Sequence, residues 1–307
     1  MDLIEKMFNL TKELENSEEF KTYSWLTEHI PALRILSKNY ELLDAHLLSY
    51  SNLKINEAFI SFNVIHRVEQ INYLEELSRL FYNYVASTQT LVDNQRKQYQ
   101  KLFPDRKRFP EYQTRIDNDF KTNGLACFIK DLRNYFLHVK ILPIEPVKKF
   151  DGITGDLTIG LFLKQKDLRL YKDWKSKTKE FINSHEKDID FDITITSYHK
   201  LVIEFQQWYQ DKTCAIFKKE IDYVSRIKRE RSQAGLKFYF DKIRSLEMND
   251  LESFESSAIR FLELDETRTF MNFKLVQQRQ EYLLSRIQRI IDIPEEVLER
   301  INNFYPN

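Results

Sequence analysis

From Asn63 to Phe103 the chain contains neither glycine nor proline. Along this stretch Ile65, Val68, Ile71, Leu74, Leu77, Phe81, Tyr84, Thr88 and Leu91 recur every three or four residues. That spacing lines up one face of an α-helix. It predicts a single long helix with one continuous buried stripe. Pro104 ends it, because proline lacks an amide proton and clashes with the preceding turn; Pro110 marks the loop beyond.

The remainder reads as helical too. Only 5 glycines and 7 prolines occur in 307 residues, while 31% are charged. So few chain-breakers among many good helix formers argue for an all-α protein. Residues 1–50 read as short helices, one with Pro31 in its first turn. Ala58–Phe62 fits strand or helix. A short helix covers Glu111–Lys121, Asn123-Gly124 is a break, and a helix runs from Leu125 to Ile141 before Pro143. Turn chemistry at 150–156 ahead of the β-prone Leu157–Leu163 predicts a small hairpin. Helix returns near Asp167, and Asp192 to Arg231 predicts one long helix or two nearly continuous ones, with Gly235 as a break. Pro294-Glu295-Glu296 opens a last helix. Three regions are expected: N-terminal helices over 1–62, a helical core over 63–215 and C-terminal helices over 216–307.

Charge and cysteine usage exclude some classes. With 47 basic and 47 acidic side chains the chain has no net charge, so nucleic acid would have to be held by a local patch. The basic runs at Arg106–Arg108, Lys148-Lys149, Lys218-Lys219 and Arg226–Arg231 read first as solvated surface. No apolar run approaches the ~20 residues that cross a bilayer. The first residues lack the layout of a signal peptide. Cys127 and Cys214 fall in apolar helical patterns and read as buried free thiols. A soluble cytoplasmic protein is expected.

No cofactor or metal is expected. The alternating Asp188, Asp190 and Asp192 resemble a calcium loop, but Ile193 and His199 stand where glycine and glutamate are required. Capping of the following helix explains them better. Gly155 and Gly160 bracket four residues as in a phosphate loop, but Leu161 replaces the lysine.

One cluster carries chemistry. In Leu132-Arg133-Asn134-Tyr135-Phe136-Leu137-His138, arginine offers a planar fork for phosphate oxygens and histidine can exchange a proton near neutral pH. Asn134 and His138 are four apart and share a helix face; Arg133 and His138 are about 140° apart around the axis. The same residues admit a plain structural reading, with Arg133 paired to Asp131 or Glu145 and His138 a satisfied core histidine. Tyr135 can be core or can stack on a base. His66, beside Arg67, is a weaker candidate.

This heptapeptide resembles the signature of the HEPN superfamily, the higher eukaryote and prokaryote nucleotide-binding helical domains: an arginine, a polar residue, a few more, then histidine. Leu142-Pro143 after it also resembles bacterial members. The resemblance covers roughly residues 60–215. It implies a helical bundle with long antiparallel helices, here with a hairpin insertion and extra terminal helices. It further implies a metal-independent endoribonuclease of the toxin or anti-phage kind. His138 would be general base on the ribose 2′-hydroxyl or acid on the 5′-oxygen, Arg133 would stabilise the transition state, and Asn134 would orient histidine or phosphate. Tyr135 and Lys140 would contact RNA. A homodimer with two facing motifs, leaving a 2′,3′-cyclic phosphate, belongs to the same expectation, as does an antitoxin or defence-system partner. The alternative is a non-catalytic helical module that binds nucleotide, RNA or a partner protein.

Overall fold

The computed structural model describes residues 2–61, 63–138, 144–150, 152–153, 155 and 157–305; the side chains of Leu137, His138, Lys149 and Thr158 lie outside that description. The chain is mainly α-helical. In order it forms α1 (Leu3–Glu15), α2 (Glu18–Thr27), α3 (Ile30–Leu48), α4 (Leu53–Ser61), α5 (Arg67–Leu102) and α6 (Glu111–Ile116), which continues into a π turn at Asp117–Lys121. Then come α7 (Gly124–His138), β1 (Ile144–Phe150), β2 (Leu157–Leu163), α8 (Gln165–Leu170), α9 (Ser176–Ser184), β3 (Ile189–Asp190) and α10 (Phe191–Ile216). The last elements are α11 (Lys218–Arg244), α12 (Leu251–Ala258), α13 (Leu264–Asn272), α14 (Val276–Ile290) and α15 (Glu295–Phe304). No helix among the described residues is long and apolar enough to cross a membrane.

These elements form two compact units, one of residues 25–216 and one of residues 1–24 with 217–307. This differs from the expected division at 62 and 215. Residues 25–61 belong with the central helices because α3 and α4 supply Leu36, Leu43, Leu47 and Phe59 to the same core as α5 and α7. Residues 1–24 go with the C-terminal helices because Leu10 and Leu14 of α1 bury against Val224 and Ile227 of α11.

In the 25–216 unit the 36-residue α5 is the axis. It runs antiparallel to α3: His46 meets Tyr73, Asn39 donates to the Asn83 carbonyl at 3.3 Å, and His29 meets Gln98. It runs parallel to α10, with Phe81 against Phe191, Tyr84 beside His199 and Gln95 bonded to Gln206. The predicted stripe is buried from Leu77 through Phe81, Tyr84 and Thr88 to Leu91. Its first part is not: Ile65, Val68 and Ile71 are 76%, 64% and 44% exposed. The reason is that α3 ends where Tyr73 donates to the carbonyls of His46 and Leu47, so the turns of α5 before Tyr73 extend past it.

The expected hairpin is present, β1 and β2 pairing from Ile144–Leu163 to Phe150–Leu157. The two-residue β3 adds a third antiparallel strand that the sequence did not announce. Ala58–Ser61 is helix, as the end of α4. Asp190 caps α10 by accepting from the Ile193 amide at 3.0 Å, as capping predicted.

In the other unit, Leu236, Phe240 and Ile243 of α11 bury with Phe254, Phe270, Leu283, Ile287, Val297 and Ile301 of the helices that follow. Gly235 is not a break. It lies inside α11, where a Cβ would come within 2.6 Å of the Phe261 ring, so its small size serves close packing. Neither cysteine is fully buried. Cys214 is exposed, because the inward position of that turn is taken by Thr213.

His199 gives the 25–216 unit a pH dependence. Its ring stacks on Tyr40 at 3.5 Å between centres and its Nδ1 lies 3.4 Å from the Tyr84 hydroxyl. Burial pushes its pKa down to about 4, against the opposing pull of Asp44. In the unfolded chain the imidazole is protonated below its ordinary pKa near 6.5. The unfolded state therefore binds more protons between pH 6.5 and about 4, and stability falls as the pH drops through that window. Denaturant titrations at stepped pH should show the loss, and His199→Gln should remove about 1–2 kcal/mol of it, less than the full shift because the ring is only half-buried.

Candidate functional site

The Arg-Asn…His cluster lies on α7. Asn123 starts this helix, its side chain accepting from the Ala126 amide at 3.1 Å and its carbonyl from the Cys127 amide. The expected break is thus the helix cap. Phe128, Ile129, Leu132 and Tyr135 point into the core, each 1% exposed or less. Asn134 is on the outer side, exposed, and Arg133 is half-buried between the two. Residue 138 is the last of the helix and follows Asn134 by one turn. The His138 side chain and the whole of Lys140 lie outside the described residues.

Arg133 is not paired to either carboxylate that a structural role would use. Asp131, 6% exposed, accepts from the Thr178 hydroxyl at 2.7 Å and from the Lys175 amide at 3.3 Å, with the Lys175 ammonium at 3.7 Å. It thereby ties α7 to the start of α9, where a negative charge meets the exposed amides of a helix N-terminus. Glu145 pairs with Lys164 at 3.1 Å. The Arg133 Nε is buried with no hydrogen-bond partner among the described residues. A desolvated guanidinium N–H without an acceptor is unfavourable by about 1–3 kcal/mol, more where the group is charged, and an incoming anion would relieve it.

Tyr135 does not serve as a base platform. It is 1% exposed, its ring stacked on Trp174 at 5.2 Å and edge-on to Tyr171 at 5.1 Å. The inward phase of α7 gives it to the core, and this corrects the RNA-contact expectation.

Four other histidines are held structurally. His29 Nδ1 lies 2.9 Å from the Gln98 amide, and burial lowers its pKa. His46 Nε2 is 3.0 Å from the Tyr73 carbonyl, His185 Nδ1 is 2.8 Å from that of Phe181, and His199 is stacked as described. His66 is half-buried just before α5.

Of the basic runs, Lys218 pairs with Asp222 at 2.6 Å and Arg226 with Glu230 at 3.0 Å, the expected solvated helix face. Lys148 is on β1 rather than in a loop, and its ammonium donates to the Ile60 carbonyl. A different group of cations, missed in the sequence, gathers at the edge of the sheet: Lys164, Lys166, Arg169 and Lys187 line one cavity. They stand singly over residues 164–187, so no run or period marked them.

Comparison of the chain with protein-family models, with curated proteins and with solved structures finds no match.

Two substitutions separate fold from site on α7. Asp131→Ala leaves Thr178 and the Lys175 amide without their acceptor and should destabilise by about 2–3 kcal/mol in urea titration. Tyr135→Phe removes a buried hydroxyl that has no partner. It should leave stability unchanged or raise it by up to about 1 kcal/mol, a drop in melting temperature being the contrary result.

Proposed function

We propose that the protein is a metal-independent endoribonuclease of the HEPN-like kind, acting as a toxin or anti-phage component, with Arg133, Asn134 and His138 as its reacting set. The observation that carries this reading is the Arg133 guanidinium: its Nε is buried without a partner among the described residues, while Asp131 and Glu145 are engaged elsewhere. A backbone phosphate of RNA fits that need in charge and geometry.

In the proposed reaction the ribose 2′-oxygen attacks phosphorus and the bond to the 5′-oxygen breaks. One His138 takes the 2′-hydroxyl proton and a second gives a proton to the leaving 5′-oxygen. The products are a 2′,3′-cyclic phosphate and a free 5′-hydroxyl. Base and acid act on opposite sides of the phosphorus, which one imidazole cannot reach at once. A two-fold homodimer bringing two α7 helices together supplies both. Arg133 balances charge on the phosphoryl oxygens as it builds, and the exposed Asn134 orients the histidine or the phosphate.

The test is cleavage of single-stranded RNA with EDTA present. Wild type should cut and leave cyclic phosphate ends. His138→Ala should lower the rate by about 10²–10⁴-fold and Arg133→Ala by about 10²–10³-fold. Equal rates in all three would end the catalytic assignment, and RNA binding without turnover in wild type would favour the non-catalytic module.

A further inference from the structure

The cavity at the sheet edge joins two surfaces of opposite character. It has a volume of about 540 Å³, within the range usual for small-ligand sites. Val147 of β1, half-buried, and Phe162 of β2, only 9% exposed, supply the apolar part of the lining. The rim carries Lys166 and Arg169 of α8 and Lys187 of the segment before β3, all exposed.

The acids nearby offset this rim only in part. Lys164 lies 3.1 Å from Glu145 and 3.1 Å from Asp188, so one ammonium answers one of the two charges and a single negative charge remains beside the three rim cations. Asp188 also accepts from the Gln165 amide at 3.0 Å. Burial opposes its ionisation, yet that amide with Lys164 and Lys166 keeps its carboxyl below the ordinary range. Arg169 donates to a neutral group, the Asn183 side chain, at 3.1 Å. Lys166 and Lys187 form no close ion pair among the described residues, although Lys166 is near enough to Asp188 to favour its charge. Glu186 is the one lining carboxylate not already engaged among the described contacts.

We infer that this cavity binds a nucleoside phosphate, either a free nucleotide or one unit of a single-stranded RNA. A simple anion would need the cations but not the apolar part of the lining; an apolar ligand would need that part but not the cations. A nucleobase set against half-buried Val147 and the small accessible edge of Phe162 places its phosphate toward Lys166, Arg169 and Lys187. Glu186 can accept from a base amino group or a ribose hydroxyl. A second depression, around Arg115 and Trp208, lacks such an excess: Arg115 pairs with Asp119 at 2.9 Å and covers the indole itself. No described residue of α7 lines the cavity.

The test uses the full chain carrying His138→Ala, so that RNA is not consumed. Binding of a fluorescent oligouridylate is followed by anisotropy, and that of uridine and adenosine monophosphates by calorimetry. The double substitution Lys166→Glu with Lys187→Glu changes exposed side chains only. It should weaken binding by about tenfold or more and make the dependence of log K on log salt shallower by roughly 1–2. Loss of mononucleotide binding assigns the site to free nucleotide; loss of oligomer binding alone assigns it to an RNA strand. Unchanged affinity for all three ligands, or no binding of any by the parent, overturns the proposal. Because cleavage is not read, this result stands or falls separately from the nuclease reading.

Discussion

The polar pins between α3 and α5 set the register on which the 25–216 unit depends. At one end the Gln98 amide lies 2.7 and 2.9 Å from the carbonyls of Trp25 and Leu26, in the last turn of α2, and 2.9 Å from His29 Nδ1. Both carbonyls belong to the end of the helix, where such groups lose their regular intrahelical partners; that of Trp25 also takes the Glu28 amide at 3.3 Å. At the other end the Tyr73 hydroxyl closes the last turn of α3. Apolar burial drives the association but is not directional. A slide by one turn would strand several buried donors and acceptors, at about 1–3 kcal/mol each. With α5 so fixed, α7 and α10 have one way to lay Leu132 and Ile195 into the shared core.

Periodicity read the long helices well because a buried stripe is a local property of the chain. It placed the Asn63–Phe103 helix and the α7 helix, and turn chemistry found the hairpin. The failures were non-local. That Ile65, Val68 and Ile71 are exposed depends on where a different helix ends, which their own spacing does not record. Gly235 looks like a break by propensity, but the Phe261 ring beside it requires the absence of a Cβ. The brevity of β3, only Ile189 and Asp190, left no alternation to detect.

The candidate site divides in the same way. The Arg133-Asn134…His138 spacing was visible as a pattern, and the helix phase already separated Asn134 from Leu132. What spacing could not decide was the fate of the charges. Asp131 is nearer to Arg133 in sequence than any other acid, yet residues two apart on a helix lie about 200° apart around its axis, so Asp131 faces α9 and takes the Thr178 hydroxyl and the Lys175 amide. Tyr135 was ambiguous until Trp174 and Tyr171 were seen enclosing it.

A chain with equal numbers of acids and bases can still build positive surface, provided its carboxylates are tied down by particular donors. Asp131 is held by α9, and Glu145 and Asp188 by Lys164. Each of these arrangements gives a carboxylate donors other than the cation beside it in sequence, Arg133 in one place and Lys166 in the other. The positive rim at the cavity also has a local excess of bases behind it, since Lys and Arg outnumber Asp and Glu over residues 164–187. Asp131 and Asp188 thus shape the field at the two sites together with the cations themselves.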